Sequence, residues 1–155
     1  MSLRLWLASW LAIPVIAVAG PRPVQAGNDG AECSYIEVAA TKSDKPSIDP
    51  ELKPLEKKLK KGPLSAWNTF KKLSNGAVTL GKNKPETMKL KQGAASMMLR
   101  DRSAQRVELT VTMDNAKGKR VLEAKPAFKT GDWLILGEPG DDKDDTGHVL
   151  ALTCK

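Results

Sequence analysis

Cys33 and Cys154 are the only cysteines in this 155-residue chain, and they stand almost at opposite ends of it once the first 26 residues are set aside. A pair so placed, in a compartment that permits oxidation, reads as a disulfide that brings the first and last segments of the fold side by side. In the entropic model a loop of this length constrains the unfolded chain by about 4–5 kcal/mol. The first and last strands are therefore expected to be neighbours. A zinc site is not expected, because Cys33, Cys154 and the lone His148 offer at most three ligands without local spacing.

The compartment is read from "MSLRLWLASWLAIPVIAVAGPRPVQA". Arg4 precedes an apolar run from Leu5 to about Ala19, and Val24-Gln25-Ala26 has the small-x-small form that signal peptidase cuts. Pro14 interrupts the run, which is shorter than the roughly 20 residues of a spanning helix. Residues 1–26 thus read as a cleaved secretory signal, and Glu32 before Cys33 argues against lipid attachment there. Residues 27–155 are expected to form a single β-rich domain, periplasmic or secreted, with no permanent membrane anchor after cleavage.

Hydrophobic periodicity sets the fold class. "RVELTVTM" alternates Val107, Leu109, Val111 and Met113 with Glu108, Thr110 and Thr112, which is a half-buried strand. "CSYIEVAA", "AVTLG", "ETMKLK", "SMMLR", "RVLEAKPAF", "WLILG" and "HVLALTC" are further strands, separated by connectors rich in Gly, Pro, Asn and Asp. Such spacing describes a mainly β protein, an antiparallel sandwich or partial barrel. One short N-terminal amphipathic helix is expected over "DPELKPLEKKLKK", with Asp49 as N-cap, Pro50 at the first helical position and Leu52, Leu55 and Leu59 on one face. Pro54 moves its start later. Residues 65–74 fit either a helix, with Trp67, Phe70 and Leu73 spaced by three, or a strand closing at an Asn75-Gly76 turn.

Charge is concentrated in one region. Without Arg4 and Arg22 the chain keeps 23 basic residues against 18 acidic, and the excess falls within Thr41–Lys91, where 13 lysines face 5 acids. Lys57, Lys58, Lys60, Lys61, Lys71 and Lys72 surround Trp67, a combination that attracts anions while a ring inserts or stacks. They form a candidate surface for an acidic envelope component or protein partner, against the plainer reading of lysines solvating a helix whose leucines and aromatics pack on the sheet. An exported chain is not expected to meet nucleic acid.

Chemistry is otherwise sparse. Asp142, Asp144 and Thr146, followed by Gly147, copy the first half of a calcium loop, but Thr153 stands where the bidentate glutamate belongs, so a hairpin tip is the better reading. His148 beside these acids is the only candidate for a general base, and Glu138 with Asp141 the only candidate carboxylate pair, both on one loop. No nucleophile motif, phosphate loop or dinucleotide fingerprint accompanies them, so no catalytic residue and no cofactor is expected.

"IDPELKPLEKKLKKGPLSAWNTFKKLS", followed by short alternating strands and "WLILGEPGDDKDDTGHVLAL", resembles a set of small exported proteins of Gram-negative bacteria of uncharacterised role. Those proteins combine an acidic-Pro-x-Leu helix start, an aromatic "F-K-x-L" segment and a terminal strand, Gly-Pro loop, strand unit. Here Glu138 interrupts the Gly-Pro pair. The resemblance implies a periplasmic β-domain and transfers no active site. The expected function is a non-catalytic binding or accessory protein of the envelope; the alternatives are a soluble periplasmic hydrolase using the 141–148 loop, or a structural subunit of an envelope assembly.

Overall fold

The computed structural model describes residues 29–138 and 146–155. The proposed signal, residues 1–26, and the acidic positions Asp141, Asp142, Asp144 and Asp145 lie outside the described residues. The fold is mainly β, arranged in two sheets, one of them curled as a half-barrel. The first sheet has the order β2–β3–β1–β10–β9, made from β1 (Gly30–Thr41), β2 (Ser47–Ile48), β3 (Thr69–Gly81), β9 (Trp133–Glu138) and β10 (Thr146–Cys154). The second runs β4–β5–β6–β7, from β4 (Pro85–Leu90), β5 (Gly93–Arg102), β6 (Arg106–Asn115) and β7 (Arg120–Ala124), with β8 (Ala127–Lys129) also on β6.

Closure of the ends is built into the first sheet. β1 and β10 pair antiparallel with Cys33 opposite Cys154, and the two residues are disulfide-bonded with Cα atoms 4.1 Å apart. Glu32 and Lys155, the next pair out, exchange both backbone hydrogen bonds. The cysteines therefore occupy a narrow, non-hydrogen-bonded pair, where side chains stand closest.

Two cores lie on the two faces of this sheet. Cys33, Leu150, Leu152 and Cys154 face the second sheet and pack with Leu80, Met97, Leu99 and the inward row of β6, Val107, Leu109, Val111 and Met113. On the opposite face, Val38, Ala40, Phe70, Val149 and Ala151 meet Leu52, Leu55, Leu59, Leu64 and Trp67 from the segment between β2 and β3. β10 is covered on both sides, which is why "HVLALTC" reads as a nearly unbroken apolar run.

That covering segment is less regular than its leucine spacing suggested. Pro50–Leu55 is a 3-10 turn, α1 spans only Glu56–Leu59, and Gly62–Ala66 is again 3-10. Pro54 removes an amide that an α-helix would use. Asp49 stands at the N-cap position, but its side chain makes no cap bond; its Oδ2 accepts from the Lys72 amide at 2.8 Å and docks the segment on β3. Leu52, Leu55 and Leu59 are nevertheless buried together, as their spacing required.

The ambiguous stretch 65–74 ends the 3-10 turn at Ala66 and becomes a strand from Thr69, and the Asn75-Gly76 turn is absent. β3 runs through both residues to Gly81, with Gly76 opposite Tyr35. A Cβ on Gly76 would lie 2.7 Å from the Tyr35 hydroxyl, so this glycine makes room for a cross-strand ring instead of reversing the chain. "RVLEAKPAF" divides at Lys125-Pro126 into β7 and β8, both on β6, because proline cannot donate to the ladder.

Two outcomes test this packing. A Cβ on Gly147 would approach the Trp67 ring to 2.2 Å, so Gly147→Ala should lower stability by about 2 kcal/mol in denaturant unfolding. Replacing Cys33 and Cys154 together by alanine should lower it by about 3–5 kcal/mol, with the intact mass of the parent rising on reduction and that of the variant unchanged.

Candidate functional site

The most densely connected polar group in the described residues is one that charge counting overlooks. Glu37 sits mid-strand in β1, fully buried at 0% exposure, among residues facing the second sheet. Ser74 stands opposite it on β3, just before the register shift between Glu37 and Val38, and His148 lies two pairs along on β10, opposite Ala39. All three side chains share a face.

Four donors converge on the carboxylate. Ser74 Oγ donates to Oε2 at 2.5 Å, the Lys91 amide to Oε2 at 2.8 Å and the Gln92 amide to Oε1 at 2.9 Å, while His148 Nε2 stands 3.0 Å from Oε1. Lys91 and Gln92 are the two tip residues of the β4–β5 hairpin, whose ladder closes at Leu90 opposite Gly93. One buried charge from the first sheet thus binds backbone at the end of the second. Burial opposes ionisation of Glu37, but the Ser74 hydroxyl, the two tip amides and His148 outweigh it and hold its carboxyl below the ordinary value.

The geometry is structural in kind. A serine hydrolase needs its hydroxyl on the imidazole, with the carboxylate behind the histidine. Here the Ser74 hydroxyl donates to the carboxylate, and Glu37 takes both partners. His148, read from the sequence as the first residue of the last strand, is 9% exposed, and its Nε2 is committed to Glu37. Glu138 stands opposite His148 on β9, and residues 139–145 connect these paired strands outside the described residues, so the carboxylate pair with Asp141 and the calcium half-pattern gain no geometry. Among the described residues no three His, Cys, Asp or Glu side chains gather as a metal cluster, and no helix is long and apolar enough to cross a membrane.

The lysines divide into two groups. Lys58 Nζ contacts Asp132 Oδ1 and the Trp133 carbonyl, both at 2.7 Å, fastening α1 to the start of β9. Lys60 pairs with Glu56 and Lys72 with Glu51. Lys57, Lys61 and Lys71 are exposed and make no ion pair among the described residues. Trp67 is 8% exposed and belongs to the core over β10, so it is not the exposed anchor that its lysine neighbours suggested. A separate concavity of about 370 Å3 lies near the disulfide end, over Glu32, Ser34, Ala77, Thr79, Thr153 and Lys155.

No family model and no curated protein matches the chain. Among solved structures it is similar to the T2SS secretin XcpQ from Pseudomonas aeruginosa, at 10% identity and a TM-score of 0.34, over 81% of this chain and 56% of the secretin. The chain therefore spans little more than half of that protein's length, and a likeness at this score carries no weight for fold or function.

Acid should act on the site with a defined sign. The folded state holds Glu37 below its ordinary value of 4.5, so its contribution is complete above that pH and is lost as pH falls through the lowered value. Glu37→Gln should cost about 2–4 kcal/mol at pH 7, since an amide cannot accept on both sides and leaves donors unpaired. The stability gap between parent and variant should stay constant from pH 7 to about 5 and narrow below the ordinary carboxylate range.

Proposed function

We propose that this chain is an exported, non-catalytic binding or accessory protein of the bacterial envelope: its first 26 residues are removed as a signal, and the rest works as a two-sheet β-sandwich in the periplasm or outside the cell. The Cys33–Cys154 bond supports an oxidising compartment. The observation that carries the binding reading is the set of lysines Lys57, Lys61 and Lys71, exposed and without an ion pair among the described residues, beside a covering segment that Lys58 ties to Asp132 and Lys72 to Glu51. Charges already matched by carboxylates attract little; unmatched ones set the local potential. The partner class is an acidic envelope component, a head group, polysaccharide or protein, met by charge and not by an inserted tryptophan.

The test is binding of residues 27–155 to vesicles containing anionic lipid and to vesicles of neutral lipid, with an acidic polysaccharide as a second probe. Binding should be confined to the anionic probes and weaken at least about ten-fold between low and physiological salt, where screening acts over about 8–10 Å. The triple variant Lys57→Gln, Lys61→Gln, Lys71→Gln should lose it, with the thermal midpoint nearly unchanged because exposed charges contribute little to stability. A triple variant that binds as well as the parent, or a parent that binds neither anionic probe at low salt, overturns the reading.

A further inference from the structure

β4 is an edge strand of the second sheet with little apolar burial. Of its six residues only Met88 is buried, at 7% exposure, and its ladder partner is β5. β5, in contrast, pairs with β6 along its length and buries Ala95, Met97 and Leu99. Pro85 opens β4 with no amide to donate. The strand is held by its ladder with β5 and by contacts at its two ends.

The ends are held differently. Before β4, the Asn83 amide donates to the Leu99 carbonyl at 2.8 Å, the Lys84 amide to Gly81 at 3.2 Å, and Lys82 pairs with Asp101 at 3.2 Å. Asn83 has a φ of 59°, a left-handed turn residue. After β4, the tip amides of Lys91 and Gln92 donate to the buried carboxylate of Glu37 across the gap between the sheets. The first anchor lies within the β3–β5 neighbourhood and is independent of charge on Glu37. The second exists only while Glu37 is an acceptor on both oxygens.

We infer that β4 is a releasable strap, hinged at Lys82–Lys84 and latched at Lys91–Gln92 by the Glu37 carboxylate, and that protonating this carboxylate opens the strap while the rest of the fold stays closed. The described groups that contact the carboxylate are His148 from β10, Ser74 from β3 and the two tip amides; Glu138 stands opposite His148 on β9, and the Lys91 side chain is exposed. A protonated His148 remains a donor to Glu37 and keeps the latch shut. A neutral Glu37 keeps one oxygen as an O–H donor facing N–H groups, and the tip loses its hold. Segments with little apolar burial open first, and release of β4 turns β5 into the edge of its sheet.

Hydrogen–deuterium exchange on the disulfide-closed protein tests this, with rates corrected for the intrinsic pH dependence. Between pH 7 and the acid end of the Glu37 carboxyl's own NMR titration, amides of residues 86–93 should lose protection at least ten-fold more than those of β1, β6 and β10. Glu37→Gln at pH 7 should reproduce the same pattern, and His148→Gln should not. Loss of protection in all strands together, or strap amides that stay as protected as β6 in acid, overturns the inference. If Glu37→Gln does not fold, the acid series of the parent decides the matter alone.

Discussion

A carboxylate buried between two sheets persists only when each oxygen is saturated with donors, and that demand dictates where four separate pieces of this chain meet. Glu37 lies on β1, yet its partners come from β3, β10 and the β4–β5 tip. Meeting the demand fixes the pairing of Ser74 opposite Glu37 and the depth at which His148 is buried. It also fixes the approach of the second sheet at its Lys91–Gln92 end. The apolar core between the sheets supplies the bulk of the burial but is not directional. The carboxylate supplies a direction.

The closure of β1 on β10 complements it at the other end of the same strands. Cys33 and Cys154 lock one end of the β1–β10 ladder, and the Glu37–His148 contact spans the strands further along. Between them run Tyr35, Leu150 and Leu152, packed against β5 and β6. On the far face the covering segment is fastened by Asp49 to β3, by Lys72 to Glu51 and by Lys58 to the start of β9. The same positive charges that looked like a binding surface therefore divide between holding the cover down and facing solvent.

Those features were unequally legible in the sequence. The disulfide and the pairing of the terminal strands follow from cysteine placement, because the chain has just two cysteines and they can pair in one way, and the β6 row Val107, Leu109, Val111 and Met113 follows from strict local alternation. The covering segment's leucines were readable by spacing, but its 3-10 form was not, since Pro54 and the docking of Asp49 on β3 override the helix start. Asn75-Gly76 carries turn chemistry and is a strand, because Tyr35 needs the space that the glycine leaves. Trp67 among lysines fitted either an exposed anchor or a ring packed on the sheet, and it is core, with Gly147, far along the chain, against its ring. Glu37 carried one faint mark, a charge on the inward phase of an apolar strand, and its partners lie 37, 54, 55 and 111 residues away. No local pattern joins them.

The account rests on Glu37 being ionised, buried and bonded to the hairpin tip. Its carboxyl carbon, followed by NMR through an acid titration alongside the Lys91 and Gln92 amides, tests that most directly. The structure requires a midpoint below the ordinary value of 4.5, with both amide resonances moving in step with the carboxyl. A midpoint at or above that value, or tip amides indifferent to the titration, would contradict it.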